Sequence, residues 1–433
     1  MSAAKHCASE APTAKHARLA RLPDVARVVD TLKRIKGDGG AEAARYIEDA
    51  HQQCQDESWK DGAKSAKSTL DIAWRMLHTG HWAQVDTAWR SCYMAASLIA
   101  ALAHWEVAAD DDNKNAVAAS CLKSIDLGLM LGDTSYREML LRAADRFEEH
   151  VTPVSSVSSS SHIAAPSHLP LRPLSGTLPA LPSLRLPSLA FFHNECMSAA
   201  QPAVLTGLID AWPARTTRPW SDLSYLKRVA GHRTVPVEFG AHYLDCGFDE
   251  RLMTLREFIE EHLEVHTPSS APGGRPRAYL AQHQLFEQLP KLRRDVITPD
   301  YCMLSIDDDD DEEEHDEGSS VRVNAWLGPG GTLSPLHYDR YHNLLCQVVG
   351  SKYIRLYAPE HGEALYPHPE GPHQVSSRII DPDDTDSGEF PRFADAPYVD
   401  LVLAAGECLY IPPRWWHFIE SREVSFSVSF WWA

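Results

Sequence analysis

Apolar residues recur at helical spacing through the first third of the chain. Val25, Val28, Val29 and Leu32 share one face, as do Leu70, Ala73, Trp74 and Leu77, and further on Tyr136, Met139, Leu140, Ala143 and Phe147. Trp89, Tyr93, Ala96 and Ala100 extend the same spacing between them, and Asp24 stands where it can cap the first helix. These stripes predict a helical domain over 24–150, preceded by a flexible tail at 1–23. No repeat of fixed period emerges, although several antiparallel helices of similar length leave a solenoid open.

The rhythm breaks at 151–188. Serines crowd 155–161 and prolines stand at 153, 166, 170, 173, 179, 182 and 187, a composition that favours extended chain and buries no core. This stretch reads as a linker to a second domain at 189–433. A short helical insert is predicted around Leu252 to Leu263, and beyond residue 320 alternation with a period of two takes over. Val321 and Val323 alternate with Arg322 and Asn324, and Leu344 to Val349 meets Lys352 to Tyr357 across Gly350-Ser351, a hairpin signal. In the last segment Val424, Phe426, Val428 and Phe430 occupy one face. Ser425, Ser427, Ser429 and Trp431 occupy the other, as in a strand packed on its outside with room on its inside. Many short strands with Gly/Pro turns predict a jelly-roll or cupin barrel, so the fold class is α+β.

Charge narrows the function. Asp and Glu number 60 against 41 Lys and Arg, giving a formal charge of −19. A protein that wraps nucleic acid by releasing counterions is excluded by that balance. About half the excess lies in 307–317, a run that reads as a solvated loop or as an attractor of a basic partner. Nine cysteines are scattered without a C-x-x-C pair, so neither a disulfide framework nor a cysteine-rich zinc module is indicated. The most apolar window, Tyr93 to Ala109, is interrupted by His104 and Glu106, and no membrane span is expected.

His-x-Glu triplets recur at His104, His193, His262, His315, His361 and His368, so such a triplet alone carries little. His337-Tyr338-Asp339 is the one His-x-Asp, set after a Gly/Pro turn and before a strand. Residues two apart on extended chain point the same way, so His337 and Asp339 can share one ion. His417, in Ile411-Pro412-Pro413-Arg414-Trp415-Trp416-His417, is the best third ligand. Two histidines and one carboxylate on a barrel form the facial set that leaves open positions on Fe(II). The bland alternative is a turn histidine, a turn-capping aspartate and a core imidazole. Lys352 shares a strand face with Ile354 and Leu356. If that face is interior, its ammonium requires an anion, and a dicarboxylate would supply one, whereas a lysine at a turn would bend out to water. Ser334, Asn343 and Tyr279 offer neutral donors to the same anion.

Tyr279-Leu-Ala-Gln-His-Gln, Asn324-Ala-Trp326-Leu-Gly-Pro, Ser334-Pro-Leu-His337-Tyr-Asp339, Gly350-Ser-Lys352-Tyr-Ile-Arg-Leu-Tyr357 and Ser425-Phe-Ser-Val-Ser-Phe-Trp431-Trp432 together resemble the jumonji-C (JmjC) oxygenases over about residues 189–433. The resemblance implies a double-stranded β-helix with Fe(II) on His337, Asp339 and His417, and 2-oxoglutarate and O2 as co-substrates. It implies that Lys352 and Tyr279 bind the distal carboxylate of 2-oxoglutarate, helped by Ser334 and Asn343. The branch it most resembles implies an arginyl side chain in a protein as the group hydroxylated, with release of succinate and CO2. Trp326 and Trp431 would flank that side chain and Glu238 would pair with it, in a protein partner with a basic, Arg-containing segment. Val235-Pro-Val-Glu238-Phe-Gly240 fits the family pattern, and Leu244-Asp-Cys-Gly-Phe-Asp249 departs from it. Two other readings stand beside this one: a histone N-methyl-lysine demethylase with a chromatin, transcription or circadian role, and a non-catalytic cupin-like scaffold. The resemblance places the protein in the nucleus, the cytoplasm or both, and Lys33-Arg34-Ile-Lys36 serves as readily as a helix face as a nuclear signal.

Overall fold

The computed structural model describes residues 20–35, 39–80, 85–108, 113–151, 172–245, 247–264, 277–306, 321–371 and 373–433. The tail to residue 19, the serine-rich stretch 152–171 and the acidic run 307–317 lie outside the described residues. The chain divides into two compact units, 1–152 and 153–433.

The first unit is helical, with α1 (Ala26–Arg34), α2 (Gly40–Gln55), α3 (Trp59–Leu77), α4 (Thr87–Val107), α5 (Lys114–Leu131) and α6 (Arg137–Glu148), each packed on the next in chain order. Asp24 accepts the Ala26 N–H at 3.0 Å, so the predicted cap forms. Val28, Val29 and Leu32 are buried, as are Leu140, Ala143 and Phe147. α4 is buried on nearly every side and joins two apolar clusters. The α3 stripe is rotated from the predicted one: Ile72 and Ala73 face inward, while Trp74 is 43% exposed and stacks on His78 at 4.1 Å. No described helix is long and apolar enough to cross a membrane.

Among its described residues the second unit holds thirteen strands: β1 (Ser183–Arg185), β2 (Ala203–Thr206), β3 (Thr234–Phe239), β4 (Asp249–Thr254), β5 (Ala278–His283), β6 (Arg322–Gly328), β7 (Leu333–Tyr338), β8 (His342–Val349), β9 (Ser351–Tyr357), β10 (Val399–Ala404), β11 (Glu407–Ile411), β12 (Trp416–Ser421) and β13 (Ser425–Trp432). They form a nine-stranded sheet in the order β1-β2-β11-β8-β13-β6-β5-β3-β4 and a four-stranded sheet in the order β10-β9-β12-β7. This is the cupin-type barrel that the alternating patterns predict. All eight residues of β13 are buried. Phe426, Val428 and Phe430 join the core behind the large sheet, and Ser429 and Trp431 line the interior cavity.

Three sequence expectations change. β8 and β9 do not form a hairpin: they lie in different sheets, and Gly350 turns the chain from one to the other. Its φ of +73° suits glycine, and a Cβ there would come within 2.2 Å of the Val424 carbonyl oxygen. The insert read as helical from Leu252 begins as strand, because β4 pairs with β3 through Thr254. Its helical part runs over Leu255–Phe258 and continues as π-helix to Leu263, opened by a Thr254/Glu257 capping box. Residues 172–188, read as linker, are extended but bound to the barrel. Arg172 pairs with Asp381 (2.7 Å), Asp383 and Glu420, the N–H groups of Ser175 and Gly176 donate to Asp400, and β1 pairs with β2.

Candidate metal centre and its cavity

The small sheet builds the centre. His337 on β7 and His417 on β12 are direct cross-strand partners, and their rings lie 4.2 Å apart between centroids. Asp339 follows β7, and its Oδ2 is 3.6 Å from His417 Nε2. One ligand atom from each of the three residues lies within 4.8 Å of the others. Their orientation comes from the main chain. His337 Nδ1 is 2.7 Å from the Pro335 carbonyl oxygen and His417 Nδ1 is 2.9 Å from that of Trp415. A carbonyl only accepts, so each Nδ1 carries the proton and each Nε2 keeps a lone pair for an ion. The Asp339 carbonyl accepts the Arg414 N–H at 2.7 Å, which locks the Ile411–Trp415 turn against the loop after β7.

The donor set fits a divalent transition metal. Burial first, then the neighbouring His337, pushes His417 down to about 4, so it is a neutral imidazole near pH 7. Asp339 Oδ2 is buried without a hydrogen-bond partner among the described residues. A buried carboxylate oxygen left bare is costly unless a cation lies against it. Two nitrogens and a carboxylate on one side of an ion leave its other positions open.

Deeper in the same cavity lies Lys352, 2% exposed, with Nζ 3.1 Å from the Tyr279 hydroxyl. No acidic side chain partners it among the described residues, and burial drives it down to about 7. The interior face expected from its strand is therefore real, and the turn lysine bending to water is not found. Burial, then the Glu238 charge, raises the Tyr279 hydroxyl above its ordinary value, keeping it a donor. Ser334 and Asn343 line this cavity too, and Asn343 Oδ1 is buried without a partner among the described residues.

Trp326 on β6 and Trp431 on the neighbouring β13 both line the wall. Trp326 spends its indole N–H on Ser429 Oγ at 2.8 Å, while Trp431 lies 6.2 Å from Tyr341, nearly parallel to it. Glu238 stands apart from the other nine predicted residues. It lines an adjoining cleft that shares Tyr279 with the main cavity, its cross-strand partner in the β3–β5 register. Burial, then Glu250 opposite it on β4, raises Glu238 to about 7. Sequence reasoning missed Tyr243 and Ser376, which meet beside His337. Nothing in the local pattern marks a turn tyrosine or a loop serine as neighbours of a metal centre.

Comparison with known proteins gives the family. A cupin-like domain family matches residues 188–433, and a family described as KDM8-like N-terminal ARM repeats matches 26–161. The chain is 35% identical to Lysine-specific demethylase 8 of Danio rerio over 381 residues, 86% of this chain and 87% of the relative. It is 35% identical to Jumonji C domain-containing protein 5 of Drosophila melanogaster over 409 residues, 94% and 92% of the two chains. Lysine-specific demethylase JMJ30 of Arabidopsis thaliana is 36% identical over 396 residues, 85% and 86% of the two. The chain belongs to the JmjC family of 2-oxoglutarate-dependent oxygenases. The JmjC oxygenase reading sets aside a non-catalytic scaffold, and the match to ARM repeats answers the solenoid question left open by the helical half.

Proposed function

We propose that this JmjC oxygenase holds Fe(II) on His337, Asp339 and His417, binds 2-oxoglutarate with its distal carboxylate on Lys352 and Tyr279, and hydroxylates an arginyl side chain of a protein substrate. When bound, the iron and 2-oxoglutarate would supply the oxidising chemistry, in which 2-oxoglutarate is decarboxylated to succinate and CO2 with one atom of O2 and the other atom is left for a C–H bond. The chain's own residues do the rest. The two Nε2 atoms and the Asp339 carboxylate fix the ion on one side of the cavity. The Lys352 ammonium and Tyr279 hydroxyl, assisted by Ser334 and Asn343, anchor the far end of the dicarboxylate in a dry wall where charge-assisted hydrogen bonds are strong.

The observation that favours arginine is Glu238: a largely buried carboxylate, raised to about 7, one cross-strand step from Tyr279. A guanidinium is a planar cation that a carboxylate can grip through two N–H groups and that indole faces accept, as Trp326 and Trp431 would. The partner is then a basic, Arg-containing segment. The names of the Danio and Arabidopsis relatives favour a second reading, removal of methyl groups from lysine, which uses the same centre. That reading places the protein in the nucleus, with tagged-protein microscopy as its check.

Mass spectrometry separates the two. Arginine and methyl-lysine peptides are incubated with the protein, Fe(II), 2-oxoglutarate and O2, with His337→Ala as control. One added oxygen on arginine that depends on His337 supports the hydroxylase. Loss of a methylene from lysine with formaldehyde release, and unmodified arginine, would overturn it in favour of the demethylase.

A further inference from the structure

The nine-stranded sheet ends at β4 on one side and at β1 on the other. β4 opens with Asp249-Glu250-Arg251, the charged composition that blunts an edge. β1 is left open. The Val204 N–H donates to the Pro182 carbonyl at 3.0 Å and the Leu186 N–H to that of Thr206 at 3.2 Å, so residues 182, 184 and 186 face β2. Alternation turns the N–H and carbonyl of Ser183 and of Arg185 away from the sheet, and these groups have no hydrogen-bond partner among the described residues. Apolar surface borders the strand. Leu178, Leu186, Leu189 and Phe191 are each between 41% and 53% exposed, a concentration that marks a contact surface rather than scatter. Beside β1 runs a groove of about 440 Å³ lined by Leu178, Leu181, Leu184, Phe191, Val399 and Trp415. The one charged side chain in its lining is Glu195, which is exposed and has no cation against it among the described residues.

We propose that β1 and this groove form a docking site for an extended, basic segment of a partner protein, which adds a strand to the open edge, lays an apolar side chain in the groove and sets a cation against Glu195. The backbone groups select the conformation. A helix spends its own N–H and C=O groups internally and an apolar small molecule has none to offer, so extended chain is what satisfies Ser183 and Arg185. Once the segment is paired with β1, every second side chain lies on the groove side, which asks for apolar residues at a period of two. Charge selects the sign: Glu195 sits at the contact, and a formal charge of −19 on the whole chain favours encounter with a cation. The groove shares no lining residue with the cavity of His337 or the cleft of Glu238, so the proposal stands apart from the substrate assignment.

The test uses the full chain and three fluorescently labelled peptides of about eight residues. One alternates valine and lysine, one alternates valine and glutamate, and one has the valines and lysines of the first in two blocks. By anisotropy the alternating valine/lysine peptide is expected to bind about tenfold tighter than either of the others. Hydrogen exchange resolved to single amides should slow at Ser183 and Arg185 when it binds, and stay unchanged at Leu184, whose amide is already turned to β2. Phe191→Ala is expected to weaken this peptide about tenfold and Ser183→Pro, which removes an outward N–H, about fivefold, with the thermal midpoint and 2-oxoglutarate turnover unchanged. Glu195→Lys should reverse the preference toward the valine/glutamate peptide. Equal binding of the block peptide would reduce the effect to the charge of the chain and overturn the proposal. So would a peptide that binds without slowing Ser183 and Arg185, or one weakened by Glu238→Gln as much as by Phe191→Ala, which would place it in the cleft of Glu238. A dimer in sedimentation that protects the same amides without any peptide would make a second copy the occupant and overturn it too.

Discussion

The main cavity and the cleft that adjoins it show one physical effect at their two ends, with opposite signs. At one end Lys352 is taken out of water among Tyr279, Trp326 and Ile354, and burial brings its ammonium down to about 7. At the other, Glu238 stands on β3 opposite Glu250, and burial with the Glu250 charge brings its carboxyl up to about 7. Each group is displaced toward neutrality because the protein gives it no opposite charge. A site that leaves a buried cation and a buried anion uncompensated, one cross-strand step apart through Tyr279, is suited to two ligands of opposite charge. On the proposed reading the barrel separates an anion end, beside His337, Asp339 and His417, from a cation end in the adjoining cleft.

The largest effect should come from removing the cation. Lys352→Met is expected to raise the KM for 2-oxoglutarate by about 100-fold or more, the scale of a buried ion pair losing one partner. It should also raise the thermal midpoint of the ligand-free protein, since an unpaired buried charge is gone. A KM near that of wild type would break the comparison at its anion end. Glu238→Gln keeps the shape and removes the charge, and is expected to raise the KM for an arginine peptide about 10- to 50-fold with 2-oxoglutarate binding intact.

A pH series sharpens the contrast. The folded-state value of Lys352 is depressed, so above about pH 7 an anion must be bound at the cost of taking up a proton, and affinity for 2-oxoglutarate should fall about tenfold per unit. That of Glu238 is raised, so below about pH 7 the carboxylate is protonated and affinity for arginine should fall as pH drops. Stability without ligands follows the same signs. Lys352 contributes a rise in stability from about pH 7 up to its unfolded value, and Glu238 a fall from its unfolded value up to about pH 7. Two KM profiles that move in the same direction would contradict the opposed-charge reading. The smallest effect is expected for Trp326→Phe, which loses the hydrogen bond to Ser429 and should lower the thermal midpoint by about 2–4 °C.

The His337, Asp339 and His417 cluster and the inward place of Lys352 were legible in the sequence because their signals are local. His337-x-Asp339 places two ligands by strand geometry alone, and Lys352 shares a face with Ile354 and Leu356 by alternation. The cation end was harder to read. The place of Glu238 depends on β3 pairing with β5, two strands separated in sequence by β4 and a short helical insert, and no periodicity reports such a pairing. Gly350 shows the same limit. A glycine between two alternating runs is written alike whether it closes a hairpin or turns a corner between sheets, and only the distant Val424 carbonyl distinguishes them. Trp74 was misplaced for a related reason, because its stripe fixes a helix face but not which edge of that face the neighbouring helix covers. Tyr243 carried no local mark, since its partner Ser376 lies 133 positions away.

The position of β13 bears on how the protein is made. Ser425–Trp432 fills the gap between β8 and β6, yet it follows every strand it pairs with in chain order. His417 also lies beyond β7 and β9, which flank its strand. During synthesis from the N-terminus the helical unit can settle early, while the oxygenase barrel waits with a missing stave and an incomplete ligand set. A premature stop shortly before Ser425 would therefore yield a chain with most of its mass and its whole helical unit but no closed barrel. Such a product would be blank as a catalyst.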